Sequence, residues 1–221
     1  MITVIIPVLN NINYTDDLFL NIKENTISPS EIVLIDNGSK DNYKDLIKKY
    51  NDLNIKYVRN ETNIGVNGAW NMGIEMSNYP LLTILNNDII INRFFFQKII
   101  KTMEDVSIGL CVPNTIKNKN FVDENVLPKI ANLERREGWA FTIRKEIVTK
   151  IGYIPDSLKT FCGDDYLFMA SKKAGFKNVK ILNSNIFHVI SATLKYDQAW
   201  KDRLKQEKSI WNRIWKEMKD D

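Results

Sequence analysis

Through the first half of the chain, short unbroken apolar runs alternate with segments whose apolar residues recur at helical spacing. Thr3–Val8 is the first run, closed by Pro7 and Asn10, and Glu31–Ile35 is the second, closed by Asp36-Asn37-Gly38-Ser39. Lys56–Val58 is a third and Leu81–Leu85 a fourth, the last closed by Asn86-Asn87-Asp88. Runs that do not alternate predict strands buried on both faces, as in a parallel sheet covered by helices. The other segments predict helices. Asp41–Tyr50 sets Tyr43, Leu46, Ile47 and Tyr50 on one stripe with Ser39 or Asp41 as cap, and Gly65–Ser77 and Asn92–Asp105 behave similarly. The order β-α-β-α-β-α-β makes the fold α/β with right-handed crossovers.

The second half is less regular. Gly109–Thr115, Gly138–Arg144 and Val179–Val189 predict strands, and Asp164–Ala174 a helix stopped by Gly175. Residues 117–135 carry the least pattern and are expected to form a mobile loop. The final segment, Asp197–Lys219, is strongly amphipathic. Wound at about 100° per residue, it gathers Trp200, Leu204, Trp211, Ile214, Trp215 and Met218 on one stripe, opposite Lys201, Lys205, Lys208, Lys216 and Lys219. Such a helix either packs its tryptophans on the domain or offers them to a membrane surface, an acceptor or a second copy of the chain.

Composition narrows the class without naming a function. A chain of 221 residues can hold one well-cored domain plus an appendage, and 44% apolar with 26% charged residues is ordinary for a soluble protein. The net charge of +4 suits an anionic ligand or surface but is too small to argue for nucleic acid. Cys111 and Cys162 sit in apolar company, which favours two buried thiols in a reducing cytoplasm over a bridge. The opening MITVIIPVLN has no basic leader and reads as a buried strand, and no run approaches the roughly 20 apolar residues of a membrane span. The expectation is a cytoplasmic protein, at most peripheral to a membrane through its tail.

Ligands of open α/β sheets bind just beyond the carboxyl ends of the strands. Three of the first four runs end there in polar clusters, Pro7-Val8-Leu9-Asn10, Asp36-Asn37-Gly38-Ser39 and Asn86-Asn87-Asp88. Each by itself is an ordinary turn composition; three on one rim point to a binding site. The first cluster lacks glycine, so it cannot form the phosphate cradle of dinucleotide binders or P-loop enzymes. Asn63–Gly73 (NIGVNGAWNMG) holds three glycines without that spacing; they let backbone approach a ligand or a packed strand, and Asn67 and Asn71 share a helical face.

In their order and spacing these clusters resemble glycosyltransferase family 2, especially its rhamnosyltransferase-like members. Pro7-Val8-Leu9-Asn10, Ile35-Asp36-Asn37-Gly38-Ser39, Asn63-Ile64-Gly65 with Asn71-Met72-Gly73, and Leu85-Asn86-Asn87-Asp88 carry the first part of the likeness. Downstream, Gly138-Trp139-Ala140-Phe141 with Arg144-Lys145-Glu146 is similar to the family's segment beneath the acceptor. Gly163-Asp164-Asp165-Tyr166 resembles its acidic motif, and His188 falls at its metal position. The resemblance covers roughly residues 2 to 193. It implies a GT-A fold, with a Rossmann-like, mostly parallel central sheet flanked by helices and a C-terminal amphipathic helix. The domain would run from 1 to 193, with a nucleotide-binding half at 1–90 and an acceptor half at 91–193, and the helix from 194 to 221.

By the same resemblance, Asp36 hydrogen-bonds the nucleotide base. Pro7, Val8, Asn10, Asn63, Gly65, Asn67, Asn71, Asn86, Asn87 and Asp88 surround the donor, Asp88 and His188 hold a divalent cation (Mn²⁺ or Mg²⁺), and Trp139 and Asp164 face the acceptor. Asp165 matches the catalytic base. Asp164 stands where the family more often has Glu, which leaves open which of the two carboxylates reaches the acceptor. Asn86-Asn87-Asp88 keeps only the last carboxylate of the family's DxD motif.

The chemistry asks for these groups. A cation stabilises the charge growing on a diphosphate leaving group, and a carboxylate on the far side of the sugar takes the acceptor proton, which inverts the anomeric centre. The implied partners are a UDP- or dTDP-sugar and a hydroxyl-bearing acceptor, a glycan first, with lipid-linked glycan, protein and nucleic acid also open. The competing readings are a nucleotide-sugar-binding module without activity and a sugar-phosphate nucleotidyltransferase. The latter needs a Gly-rich basic loop after the first strand, and PVLNNIN has none.

Overall fold

The computed structural model describes residues 1–119, 121, 124–133, 138–189 and 199–220. Strands β1 (Ile2–Val8), β2 (Glu31–Asp36), β3 (Ile55–Arg59) and β4 (Leu81–Leu85) form the parallel half of a nine-stranded sheet in the order β3-β2-β1-β4. Residues of β1, β2 and β4 are buried almost without interruption, as their unalternated sequences predict, while β3, at the edge, is only partly buried.

Helices α1 (Ile12–Glu24), α2 (Tyr43–Lys49) and α3 (Val66–Met76) make the crossovers. The sequence reading does not single out α1. Its first turns are polar, and only Thr15, Leu18, Phe19 and Ile22 face inward. Gly73 lets α3 lie directly on β1, since a Cβ there would stand 2.3 Å from Ile5 Cγ2.

Beyond β4 the sheet becomes mixed, continuing β8-β6-β9-β5 through β5 (Ile89–Ile91), β6 (Ile108–Ile116), β8 (Ala140–Arg144) and β9 (Lys177–His188). β8 runs antiparallel to both β4 and β6, whereas β6 and β9 are parallel. Helices α4 (Phe95–Thr102), α5 (Lys145–Ile151) and α6 (Gly163–Lys173) complete this half. Strand β7 (Ile130–Asn132) pairs with β9 inside the stretch expected to be a loop. Its backbone groups are held by the partner strand, which needs no apolar pattern of its own. Residues 120, 122, 123, 134 and 135 of that stretch lie outside the described residues, as does the expected domain boundary near 193.

Two cores result, one on each face of the sheet. The first joins β1 and β2 to α1, α2 and α4 through Phe19, Tyr43, Phe95 and Phe96. The second gathers Trp70, Phe141, Leu167 and Phe168 from α3, β8 and α6, and reaches Trp211 of the terminal helix α7 (Trp200–Asp220). Trp211 is buried, and Ile210, Ile214, Trp215 and Met218 pack against the same core, while Lys201, Lys205, Lys208, Lys216 and Lys219 stay exposed. The part of the stripe from Trp211 to Met218 therefore packs on the domain, while Trp200 and Leu204 are half-buried outside that core. Residues 197–198, where that helix was expected to begin, lie outside the described residues. Cys111 and Cys162 are both buried free thiols. Among the described residues, no helix is long and apolar enough to cross a membrane.

Candidate active site

Strand β5 turns the end of β4 into a site. It runs antiparallel to β9 with Ile89 opposite His188, so Asp88, one residue earlier, meets the last residue of a strand distant in sequence. The Asp88 carbonyl accepts the Val189 amide at 3.0 Å, and His188 Nε2 lies 3.2 Å from Asp88 Oδ1. The side chains of His188 and Asp88 retain 12% and 10% exposure, so the pair is sheltered yet reachable. One carboxylate oxygen and one imidazole nitrogen fit a divalent cation. Their separation is close to the roughly 3 Å edge between neighbouring ligands of an octahedron with bonds of about 2.1 Å. Among the described residues, no group of three or more His, Cys, Asp or Glu side chains gathers to enclose a metal. A cation here would draw its remaining ligands from phosphate oxygens and water.

Trp139 extends the pair toward α6. Its backbone carbonyl accepts the Asn86 amide at 2.9 Å, and its Nε1 donates to Thr115 Oγ1 at 3.0 Å. The indole stacks on the His188 ring, with centroids 5.1 Å apart and planes 22° from parallel, so one face of the ring is already taken. Gly138, just before it, admits the Asp164 carboxylate: a Cβ there would lie 2.7 Å from Asp164 Oδ2. Asp164 and Asp165 stand half-buried in the first turn of α6, where the helix dipole favours negative charge. A continuous series of contacts thus runs from Asp88 through His188, Trp139 and Gly138 to the acidic pair.

Asn67 and Asn71 share one face of α3, as their spacing predicts, and both are committed to protein. Asn67, 1% exposed, donates its amide to the carbonyls of Leu158 and Phe161, each at 3.0 Å. Asn71 donates to the Ile154 carbonyl at 2.8 Å and accepts the Ile154 amide at 3.1 Å. Gly65 approaches the same segment so closely that a Cβ would sit 2.3 Å from the Lys159 carbonyl oxygen. In this arrangement the two asparagines clamp the loop that leads into α6, and they offer a donor little surface.

Asp36 is likewise engaged by protein groups. Its side chain is 0% exposed. Oδ1 accepts the Ser39 amide at 2.7 Å, and Oδ2 accepts Tyr57 Oη at 2.8 Å and Arg59 Nη1 at 2.5 Å. Burial by itself would raise its pKa, but the Ser39, Tyr57 and Arg59 hydrogen bonds outweigh it and hold the carboxyl below the usual range. Tyr57 and Arg59 alternate on the neighbouring strand, with Arg59 directly opposite Asp36 in register. That period-two spacing was the available signal for a pair the sequence reading missed. Asn37 is similarly engaged, donating to Asn63 Oδ1 at 2.8 Å.

Asn10 remains on the rim in a left-handed conformation (φ 59°). It is pinned to the β2 turn by Ser39 Oγ, which accepts its amide at 2.8 Å, and by the Lys40 amide, which donates to its Oδ1 at 2.8 Å. Pro7 is half-buried and Val8 is buried, with its carbonyl accepting the Asn37 amide at 2.8 Å. Asn86 and Asn87 are half-exposed, and Asn87 donates to Thr15 Oγ1 at 3.1 Å. A cleft of about 900 Å³ opens at the ends of β1 and β3, lined by Asn10, Asn11, Asn63, Gly65 and Lys159 and closed on one side by Arg203, Gln206 and Glu207 of α7.

Against known proteins, the profile of glycosyl transferase family 2 matches residues 3–166. The chain belongs to glycosyl transferase family 2. Within the family it is 24% identical over 116 residues to the glycosyltransferase GlyG of Streptococcus pneumoniae, an alignment covering 52% of this chain and 38% of that protein.

Among solved structures, a mannosyltransferase of Pyrobaculum calidifontis in complex with GDP-Man and Mn2+ superposes with a TM-score of 0.72 at 16% identity, covering 96% of this chain and 64% of that one. Residues 1–349 of S. aureus TarS in complex with UDP give 0.70 at 18% identity, covering 86% and 60%. These likenesses establish the GT-A fold, and the chain spans less than two thirds of each relative's length.

Proposed function

We propose that this chain transfers a sugar, with inversion, from a nucleoside diphosphate donor to an acceptor hydroxyl, assisted by a divalent cation held by Asp88 and His188. The observation that carries this reading is the convergence of Asp88 and His188 at the end of β4, joined through Trp139 and Gly138 to the Asp164–Asp165 pair. Two structural relatives described with GDP-Man and Mn2+ and with UDP support a nucleotide-sugar donor and a cation. When bound, the cation supplies Lewis-acid neutralisation of the charge that develops on the diphosphate.

The chain's own residues do the rest. Asp165, as general base, takes the acceptor proton, and Asp164 faces the acceptor beside Trp139. Asn10, Asn63 and Asn86 offer amides along the donor cleft, Pro7 and Val8 shape its floor, and Asn87 joins the rim to α1. Asp36 acts through Arg59 and Tyr57, whose positions it sets. The donor is UDP- or dTDP-linked, the acceptor is a glycan, and the rhamnosyltransferase-like grouping rests on the ordered motifs. Residues 1–90 form the donor half and 91–193 the acceptor half, and the two buried thiols suit a reducing cytoplasm.

Sugar release from a panel of UDP- and dTDP-sugars with Mn²⁺, for wild type and Asp165→Asn, tests this. Turnover reduced by about 10²–10⁴-fold in the variant supports the enzyme. Binding without turnover in the wild type would instead make the chain a nucleotide-sugar-binding module.

A further inference from the structure

Family membership, carried by residues 3–166, does not account for a carboxylate on α7 that reaches back into the site. Glu207 is 6% exposed. Its Oε2 accepts the backbone amides of Thr160 at 3.0 Å and Phe161 at 2.8 Å, and its Oε1 lies 3.3 Å from the Thr160 amide. The same Phe161 residue gives its carbonyl to the Asn67 side chain at 3.0 Å. Phe161 is therefore gripped at its N–H from α7 and at its C=O from α3. Cys162 follows in the left-handed conformation (φ 60°), Gly163 opens α6 and the acidic pair comes next, so no slack separates the grip from the carboxylates.

A buried carboxylate is a costly way to dock a helix when Trp211 and its neighbours already provide apolar contact. What it adds is direction, because charge-assisted bonds to two successive amides define the orientation of a backbone segment that no regular element holds.

We propose that Glu207 is a positioning residue for Asp164 and Asp165, making α7 a built part of the active site. This rests on the transferase reading above. Holding a base within reach of its proton is worth much in rate, since a displacement of about 1 Å can cost on the order of 10²-fold.

The test uses the full chain with Glu207→Ala and Glu207→Gln. Sugar release from a UDP-sugar with Mn²⁺ provides kcat and KM, UDP with Mn²⁺ provides binding, and hydrogen exchange follows the amides of residues 160–166 and of α7. The expected result for Glu207→Ala is a kcat lower by about 10²-fold with UDP affinity unchanged. The Thr160 and Phe161 amides exchange faster while α7 stays protected. Glu207→Gln, whose Oε1 still accepts one amide, falls between wild type and Ala.

An unchanged kcat with those amides freed overturns the proposal. So does a fall in kcat matched by loss of UDP binding, which would make Glu207 a donor-binding rather than a positioning residue. If Glu207→Ala releases α7 as a whole, Glu207→Gln decides, and full activity there overturns the proposal. A wild type without turnover removes the transferase reading instead. Exchange at the Tyr166 amide, which donates to the Cys162 carbonyl at 3.0 Å, then judges the clamp, and protection equal to wild type in Glu207→Ala overturns it.

Discussion

The turns after β2 and β4 are built from the same residue types and end in opposite states. After β2, Asp36, Asn37 and Ser39 are 0%, 4% and 2% exposed, each bound to a neighbouring loop or strand. After β4, Asn86 and Asn87 are half-exposed, and Asp88 faces an imidazole on another strand. Both lie at the carboxyl ends of parallel strands that flank β1, so strand-end position alone does not make a ligand site. The difference lies in what stands beside each turn. Asp36 has Arg59 and Tyr57 on β3 to satisfy it, and Asp88 has His188, whose imidazole is a group that can ligate a metal.

The most damaging changes should be at the open rim. Asp88→Asn or His188→Ala should lower sugar transfer with Mn²⁺ by on the order of 10³-fold, the rate equivalent of several kcal/mol of lost charge stabilisation. Melting temperature should stay near that of wild type. Early melting in both variants would erase the contrast between the turns.

At the closed rim the larger effect is on stability. Asp36→Asn should cost about 3 kcal/mol in denaturant unfolding, because it leaves a charged hydrogen-bond network incomplete. The native carboxyl titrates below its unfolded value, so its contribution is full above the unfolded pKa and is lost as pH falls through the native one. Wild type and variant should therefore differ by a constant amount near neutrality and converge as pH drops below about 4.

Asn67→Ala tests whether α3 serves the site through the loop. About 2 kcal/mol of stability should go with the two carbonyl partners, and kcat should fall with donor KM little changed. A rise in KM alone would return Asn67 to the donor surface. The smallest effect belongs to Trp139→Phe, which keeps a ring on His188 but loses the Thr115 bond. About 1 kcal/mol of stability is at stake, and retained activity would show that stacking matters more than the indole N–H.

Much of this could be read from the residues alone. The strands of the parallel half follow from unalternated apolar runs, and α6 and the tail from helical spacing. The likeness that names the family lies in the order of short polar clusters. Less visible were α1, whose inward face has only four residues, and β5 and β7, each three residues long. Short strands are made by their partners, and a partner distant in sequence leaves no periodic trace. Glu207 was hidden for a related reason. On a helix of alternating charge and tryptophan, nothing marks one glutamate as buried.

The α/β class, the strands of the parallel half and the polar residues at their ends are legible in the residues, because burial on both faces and turn chemistry are local and write themselves into composition and period. Which of those polar residues closed on one another and which stayed open is not written there. Whether a carboxylate meets an arginine, an imidazole or a pair of amides depends on which strands and helices lie side by side, and that is settled by packing across the whole sheet.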